Sequence, residues 1–218
     1  MKSFSVKGNV ADIPARNFFS GTINVENGRI SSIEKITDNV DPNLPYLLPG
    51  FIDSHVHIES SMLVPSQFAR LAVVHGTVAT VSDPHEIANV CGIPGIDYMI
   101  RDAENVNFKF YFGAPSCVPA TTFETAGDAI DADGIKDLLQ KKEIKYLSEM
   151  MNFPGVIHND PEVMKKIAIA HELKKPVERA CSRLASTCEC FGPDAPMRAR
   201  CFEPGLISPS AFSRSQGQ

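Results

Sequence analysis

The first 47 residues alternate apolar and polar positions in short runs, the pattern of half-buried β-strands. Two of these runs, residues 21–26 and 29–34, flank the pair Asn27-Gly28. An Asn-Gly pair between alternating runs is a strong hairpin signal, because both central residues of the tight turn need positive φ. The pattern predicts a small, β-sandwich-like unit with antiparallel strands over residues 1–47.

The hydrophobic period changes from Leu48 onward, where short apolar runs are each followed by a longer helical pattern. The alternation recurs about every 30 residues, the size of a βα repeat. It predicts four strands, listed in order as residues 50–55, 77–82, 108–113 and 144–149. Helices are predicted at residues 66–75, 95–104 and 134–142.

A further helix is predicted after the fourth strand. Asp160-Pro161-Glu162 supplies an N-cap, a proline at the first helical position and an early acidic residue. The apolar residues that follow recur at helical spacing and predict one buried face, made of Val163, Ile167 and Ala170.

These elements predict an α/β fold of the (β/α)8 TIM-barrel type in residues 48–177, with about the first four βα units present. A complete barrel typically needs about 250 residues, roughly twice what this stretch supplies. We therefore expect that the barrel cannot close from this chain alone.

The composition is that of a globular protein and gives no support to nucleic-acid or membrane binding. The chain is 43% hydrophobic and 22% charged, as expected of a globular protein, and its net charge of -5 gives no broad basic surface. Nucleic-acid and membrane partners therefore have no support, and no run of about 18 apolar residues occurs. A cytoplasmic location is expected.

The most informative motif places His55 and His57 two residues apart at the end of the first barrel strand. Alternate residues of a strand share one face, so both imidazoles can reach one metal ion. Two polar residues closing a strand are the alternative interpretation. The carboxyl end of a barrel strand, where active sites of this fold lie, favours the metal interpretation.

Polar residues also follow the second and fourth strands at the same end of the predicted barrel. The stretch after the second strand can bind metal or substrate, but it can equally form an Asp-Pro turn and a helix cap. Glu149 ends the fourth strand, where a buried acid must be paired, protonated or metal-bound. A solvated acid at a strand end is the alternative for Glu149.

Four stretches taken together resemble the adenine deaminases of the amidohydrolase type. They are PGFIDSHVHIESSML, ATVSDPHEIANV, PSCVPATTFETAG and EMMNFPGVI, in the order that this family has them. His-x-His is generic to amidohydrolases, whereas SDPHEIANV and EMMNFPGVI together are specific to adenine deaminases. The resemblance implies a (β/α)8 barrel with a small β-sandwich domain, and hydrolysis of adenine to hypoxanthine and ammonia.

In such enzymes a divalent metal, or a close pair, lowers the pKa of bound water so that hydroxide can attack the purine ring. The resemblance implies that His55, His57 and Glu149 are metal ligands, with Glu149 also catalytic and able to bridge two metals. Mn, Fe and Zn all suit these donors. The resemblance further implies that the enzyme is a homo-oligomer and that four residues lie near adenine. These are Glu86, predicted to be catalytic, and Asp83, His85 and Asn89, predicted to bind substrate.

Other functions stay open from the sequence. The chain can belong to an amidohydrolase acting on another purine or a cyclic amide, or it can be a non-catalytic metal-binding fragment that pairs with a missing half. A different deaminase class uses His-x-Glu with a later Pro-Cys-x-x-Cys. His57-Ile58-Glu59 matches its first half, but the sequence contains no Pro-Cys-x-x-Cys.

The sequence departs from the family after Val177. The family continues with a strand ending Asp-Gly-His-Ala-Pro-Gly-Leu, and loss of one base from codons that encode Glu178 and its successors restores this reading. Every lysine of the chain lies before Glu178, and the basic residues after it are all arginines. We therefore hypothesise that residues 178–218 are an out-of-frame, poorly ordered tail, and we expect little or no deaminase activity from this chain alone. Its four cysteines would then be accidental, not a zinc site.

Overall fold

The computed structural model describes residues 3–121 and 123–179. The chain divides into two compact units between Gly50 and Phe51. Of the tail hypothesised to be out of frame, only residues 178 and 179 are described, and its four cysteines lie outside the described part of the chain.

The N-terminal unit is one four-stranded sheet. Strands β1 (Phe4–Asp12), β2 (Asn17–Glu26) and β3 (Arg29–Thr37) are antiparallel, and a short β4 (Tyr46–Leu47) lies parallel to β1, giving the order β3-β2-β1-β4. Asn27 and Gly28 connect β2 to β3 with φ values of 54° and 75°. The predicted hairpin is confirmed, and the sheet is mixed because β4 joins it in parallel.

The second unit is built on a parallel sheet whose strands are adjacent in chain order. The strands are β5 (Phe51–Val56), β6 (Thr77–Ser82), β7 (Lys109–Ala114), β8 (Ile144–Met150) and β9 (Val177–Arg179). Sequential parallel strands joined by helices form part of a βα barrel, so the predicted fold class is confirmed.

The connections between these strands carry the helices. They are a 3₁₀ turn at Ile58–Ser61, then α1 (Pro65–Val73), α2 (His85–Ala103), α3 (Ala132–Gln140), α4 (Phe153–Ile157) and α5 (Pro161–Glu172). Within residues 3–121 and 123–179, no helix has the length and apolar character that a membrane span requires.

Strand β9 corrects the expectation that regular structure ends at Val177. Leu147 pairs with Val177 and Met150 with Arg179, and the Leu147 amide donates to the Pro176 carbonyl at 2.9 Å. The pairing satisfies backbone groups on the outer edge of β8 and buries Val177. Glu178 is therefore part of the sheet.

Helix α2 starts at His85 rather than at the predicted residue 95, so residues 85–91 lie on a helix instead of in a loop. The sequence does not predict this start, because Gly92 and Pro94 are helix-breaking residues that lie inside the helix. Gly92 has φ 60° and ψ -150°, a conformation that only glycine adopts readily, and a Cβ there would collide with the Asp128 carboxylate. The helix is thus kinked at Gly92.

The core of this unit lies between the sheet and the helices. Helix α3 packs on α5 and β8, and Leu138 and Leu147 are fully buried. The predicted face of α5 is confirmed, with Val163, Ile167 and Ala170 all buried. Its predicted cap is confirmed as well, since the Asp160 carboxylate accepts from two amides of the first turn at 3.0 Å.

Candidate metal centre

Three predicted ligands meet at the carboxyl edge of the parallel sheet. His55 and His57 come from the end of β5, and Glu149 comes from the end of β8. One potential ligand atom from each lies within 4.8 Å of the other two. The Nε2 atoms of His55 and His57 are 3.2 Å apart, and Glu149 Oε2 lies 3.9 Å and 4.0 Å from them.

Hydrogen bonds on the far side of each ring orient the two imidazoles. His57 Nδ1 lies 2.9 Å from the carbonyl oxygen of Asp83, which can only accept, so Nδ1 carries a proton. His55 Nδ1 lies 2.8 Å from Glu178 Oε1 in the corresponding arrangement. In the neutral rings, this leaves both Nε2 lone pairs facing each other and Glu149.

This arrangement fits a cation. Two lone pairs at 3.2 Å repel each other unless a proton or a metal ion lies between them. Imidazole nitrogens whose opposite N–H is held by a carbonyl or a carboxylate, together with one carboxylate ligand, are a typical donor set for a divalent transition metal. The carbonyl of Asp83 and the carboxylate of Glu178 therefore serve as the supports of the two histidines.

The electrostatics favour positive charge at this point. Burial opposes a charge on His55, but the hydrogen bond that His55 donates to Glu178 and the charges of Glu178, Glu149 and Asp83 outweigh it and raise the pKa of His55. Burial raises the pKa of Glu178 by more than its contact with His55 lowers it. The carboxylates that stabilise a proton on His55 would also stabilise a bound cation.

A second group shares His57 and adds Asp83 and His85. Asp83 is 2% exposed, and its Oδ2 lies 3.3 Å from His85 Nδ1. This hydrogen bond, which outweighs burial, raises the pKa of His85. Asp83 Oδ1 has no hydrogen-bond partner among the described residues. A buried carboxylate oxygen without a partner is costly, so this group is suited to a cation or a polar ligand.

The other two predicted site residues lie on the first turns of α2, outside both groups. Glu86 Oε1 accepts a hydrogen bond from Ser60 Oγ at 2.5 Å. Asn89 accepts through its carbonyl from the Gly127 amide at 2.7 Å, and its buried side-chain oxygen has no partner within the described part of the chain. Both residues thus lie on the same helix as His85, but neither belongs to the second group.

Two acidic residues beside the site were not identified from the sequence. Glu178 was assigned to the aberrant tail, although the apolar Val177 before it is a weak strand signal. Glu59 accepts from the Ile87 amide at 3.2 Å and so satisfies a donor in the first turn of α2. Burial raises the pKa of Glu59. Together with Ser60, Glu59 ties the 3₁₀ turn after β5 to the start of α2.

Comparison with known proteins identifies the family. Residues 46–189 match the family model described as "Amidohydrolase family". The chain belongs to the amidohydrolase family. Membership in this family implies a divalent metal, and the donor set formed by His55, His57 and Glu149 fits one.

The curated relatives of this amidohydrolase chain include several adenine deaminases. That of Sulfurovum sp. (strain NBC37-1) is 59% identical over 173 residues, covering 79% of this chain and 32% of the relative. That of Salinibacter ruber is 53% identical over 176 residues, covering 81% and 32%. The chain therefore spans about a third of the length of these relatives.

Among solved structures, 5-methylcytosine deaminase from Klebsiella pneumoniae is similar to this amidohydrolase chain with a TM-score of 0.49 and 10% sequence identity. The match covers 82% of this chain and 51% of the other. It adds nothing to the family assignment, which depends on the sequence match.

Proposed function

We propose that this chain carries part of the metal-binding barrel of an adenine deaminase, an enzyme that hydrolyses adenine to hypoxanthine and ammonia. The observation that supports this substrate is the 59% identity to an adenine deaminase over 173 residues. Identity at this level extends well beyond the metal-binding motif that all amidohydrolases would share. The chain covers only part of that relative, so the proposal concerns the whole enzyme.

In this proposal His55, His57 and Glu149 hold a divalent cation, with Mn, Fe and Zn as the candidates. When bound, such a cation lowers the pKa of water and so supplies hydroxide near neutral pH. In the 218-residue chain, Glu178 and the Asp83 carbonyl hold the Nδ1 protons of His55 and His57, which leaves both Nε2 atoms free to act as ligands.

We further propose that Asp83, His85 and Asn89 contact the purine and that Glu86 carries a proton. Adenine offers ring nitrogens that accept hydrogen bonds and an amino group that donates them. Asp83 Oδ1 and Asn89 Oδ1, which have no partner among the described residues, can accept from the amino group, and the protonated His85 ring can donate through Nε2 to a ring nitrogen. Glu86 is held by Ser60 on the same edge of the sheet. The cytoplasmic location and the homo-oligomer remain predictions.

Ammonia release from adenine tests the proposal. We expect little or no release from the 218-residue chain and metal-dependent release from a longer protein in which the reading frame after Val177 is restored. The described residues supply only part of the barrel that surrounds such a site, which is the physical reason for the difference. Both proteins would be assayed with added Mn(II).

The control is the restored protein with His75→Ala, since His75 is exposed and lies away from the carboxyl ends of the strands. This variant should match the parent. Absence of ammonia from the restored protein would contradict the proposed substrate, and release from other purines or from cyclic amides would then assign one of those. Robust turnover by the 218-residue chain would contradict the expectation of inactivity.

A further inference from the structure

Lys166 is a charged residue on the buried face of α5. It is 8% exposed, and its ammonium donates to the carbonyl oxygens of Ser116 at 3.0 Å and of Ile130 at 2.6 Å. A buried ammonium is costly unless hydrogen bonds compensate, and here both acceptors belong to the loop that follows β7. Lys166 therefore fixes the backbone of that loop at Ser116.

Ser116 in turn contacts the strand that carries a candidate ligand. Its side chain is buried, and its hydroxyl donates to the backbone carbonyl of Glu149 at 2.5 Å. The next residue, Cys117, accepts from the Asn152 amide through Sγ at 3.4 Å. Two neighbouring residues after β7 are thus fastened to the segment that begins with Glu149.

The backbone of β8 is irregular at this point. Its pairing with β9 shifts register between Leu147 and Met150, so Glu149 lies where the sheet ladder is interrupted. Its carbonyl accepts from the Met151 amide at 3.0 Å in a tight turn and from Ser116 Oγ. Since the regular ladder does not fix Glu149, contacts from outside the strand determine where its side chain points.

We propose that Lys166 and Ser116 are positioning residues for Glu149. Lys166 holds the Ser116 carbonyl, the Ser116 hydroxyl holds the Glu149 carbonyl, and the Glu149 carboxylate is thereby aimed at His55 and His57. The inference rests on the proposed function, because it takes Glu149 to be a ligand of the cation. It adds two residues that lie outside the site and do not touch the metal.

Co(II) binding by the full 218-residue chain tests this inference. We would titrate the wild type, Ser116→Ala, Ser116→Thr and Lys166→Met while recording the visible absorption spectrum of bound Co(II), with circular dichroism to establish folding. Lys165→Met is the matched control, because Lys165 is the adjacent lysine on α5 and its side chain is 53% exposed.

We expect Ser116→Ala and Lys166→Met to weaken Co(II) binding about 10- to 100-fold, as loss of outer-shell support typically does, and to change the absorption spectrum. Ser116→Thr keeps the hydroxyl and should restore both, and Lys165→Met should behave as wild type. A purely structural role would lower stability without changing the spectrum of the metal that still binds.

Folded Ser116→Ala protein with the affinity and spectrum of the wild type would overturn the inference, even if Lys166→Met failed to fold. A wild-type chain that bound no Co(II) would instead overturn the proposed metal site, and the inference with it. The two failures are distinguishable because the first requires a wild type that binds.

Discussion

Replacing His57 with alanine is expected to remove most of the affinity of this chain for divalent cations. His57 is the residue shared by both groups of candidate ligands, so its loss leaves each group with two members. The loss of affinity should exceed the ~10- to 100-fold that follows removal of outer-shell partners, because a direct ligand is removed. Calorimetric titration of the folded variant with Co(II) measures it.

His75→Ala is the matched control for this experiment. His75 is an exposed histidine that follows α1, and its replacement should leave Co(II) affinity unchanged. Equal affinities for the wild type and His57→Ala would contradict the assignment of the candidate metal centre.

Replacing Leu147 with alanine is expected to lower the free energy of unfolding by about 2–5 kcal/mol, the range for a leucine truncated in a packed core. Leu147 is fully buried among the apolar residues between the sheet and the helices. The cavity left behind would also lie two residues from Glu149. Urea denaturation followed by circular dichroism gives the change.

Leu71→Ala serves as the comparison, because Leu71 lies on α1 with 56% of its surface exposed. Truncation there should change the free energy of unfolding by no more than about 0.5 kcal/mol. If the two variants unfolded at the same urea concentration, the proposed core between sheet and helices would be wrong.

The sequence predicted a helix or strand correctly where the residues that define the element lie within it or directly beside it. Strand β6 spans Thr77–Ser82 as predicted, since a short apolar run follows a glycine stop. Helix α5 begins after Asp160 as predicted, because the cap, the proline and the apolar stripe all lie within a few residues. Helix α2 was predicted too short, because Gly92 and Pro94 read as helix breakers in the sequence, whereas the helical segments before and after Gly92 join across a kink.

For the candidate site, too, local motifs were predicted and long-range contacts were not. His55 and His57 were predicted to reach one metal because they lie two residues apart at the end of a predicted strand, whereas the ligand role of Glu149 was implied by the resemblance to adenine deaminases. Residues that act through distant contacts were missed. Glu178 meets His55 across 123 positions of sequence, and Lys166 meets Ser116 across 50. Such contacts form only when the distant segments pack together in the folded protein. The residues next to Glu178 and Lys166 in the sequence therefore do not predict them.

We propose that His55, His57 and Glu149 bind one divalent cation at the carboxyl edge of the parallel sheet. Anomalous diffraction from crystals of this chain grown with Zn(II) tests it most directly. We expect an anomalous peak within bonding distance of a Glu149 carboxylate oxygen and about 2.0–2.1 Å from both Nε2 atoms, the usual Zn–N distance. Zinc peaks only elsewhere, with the two Nε2 atoms free of metal, would contradict it.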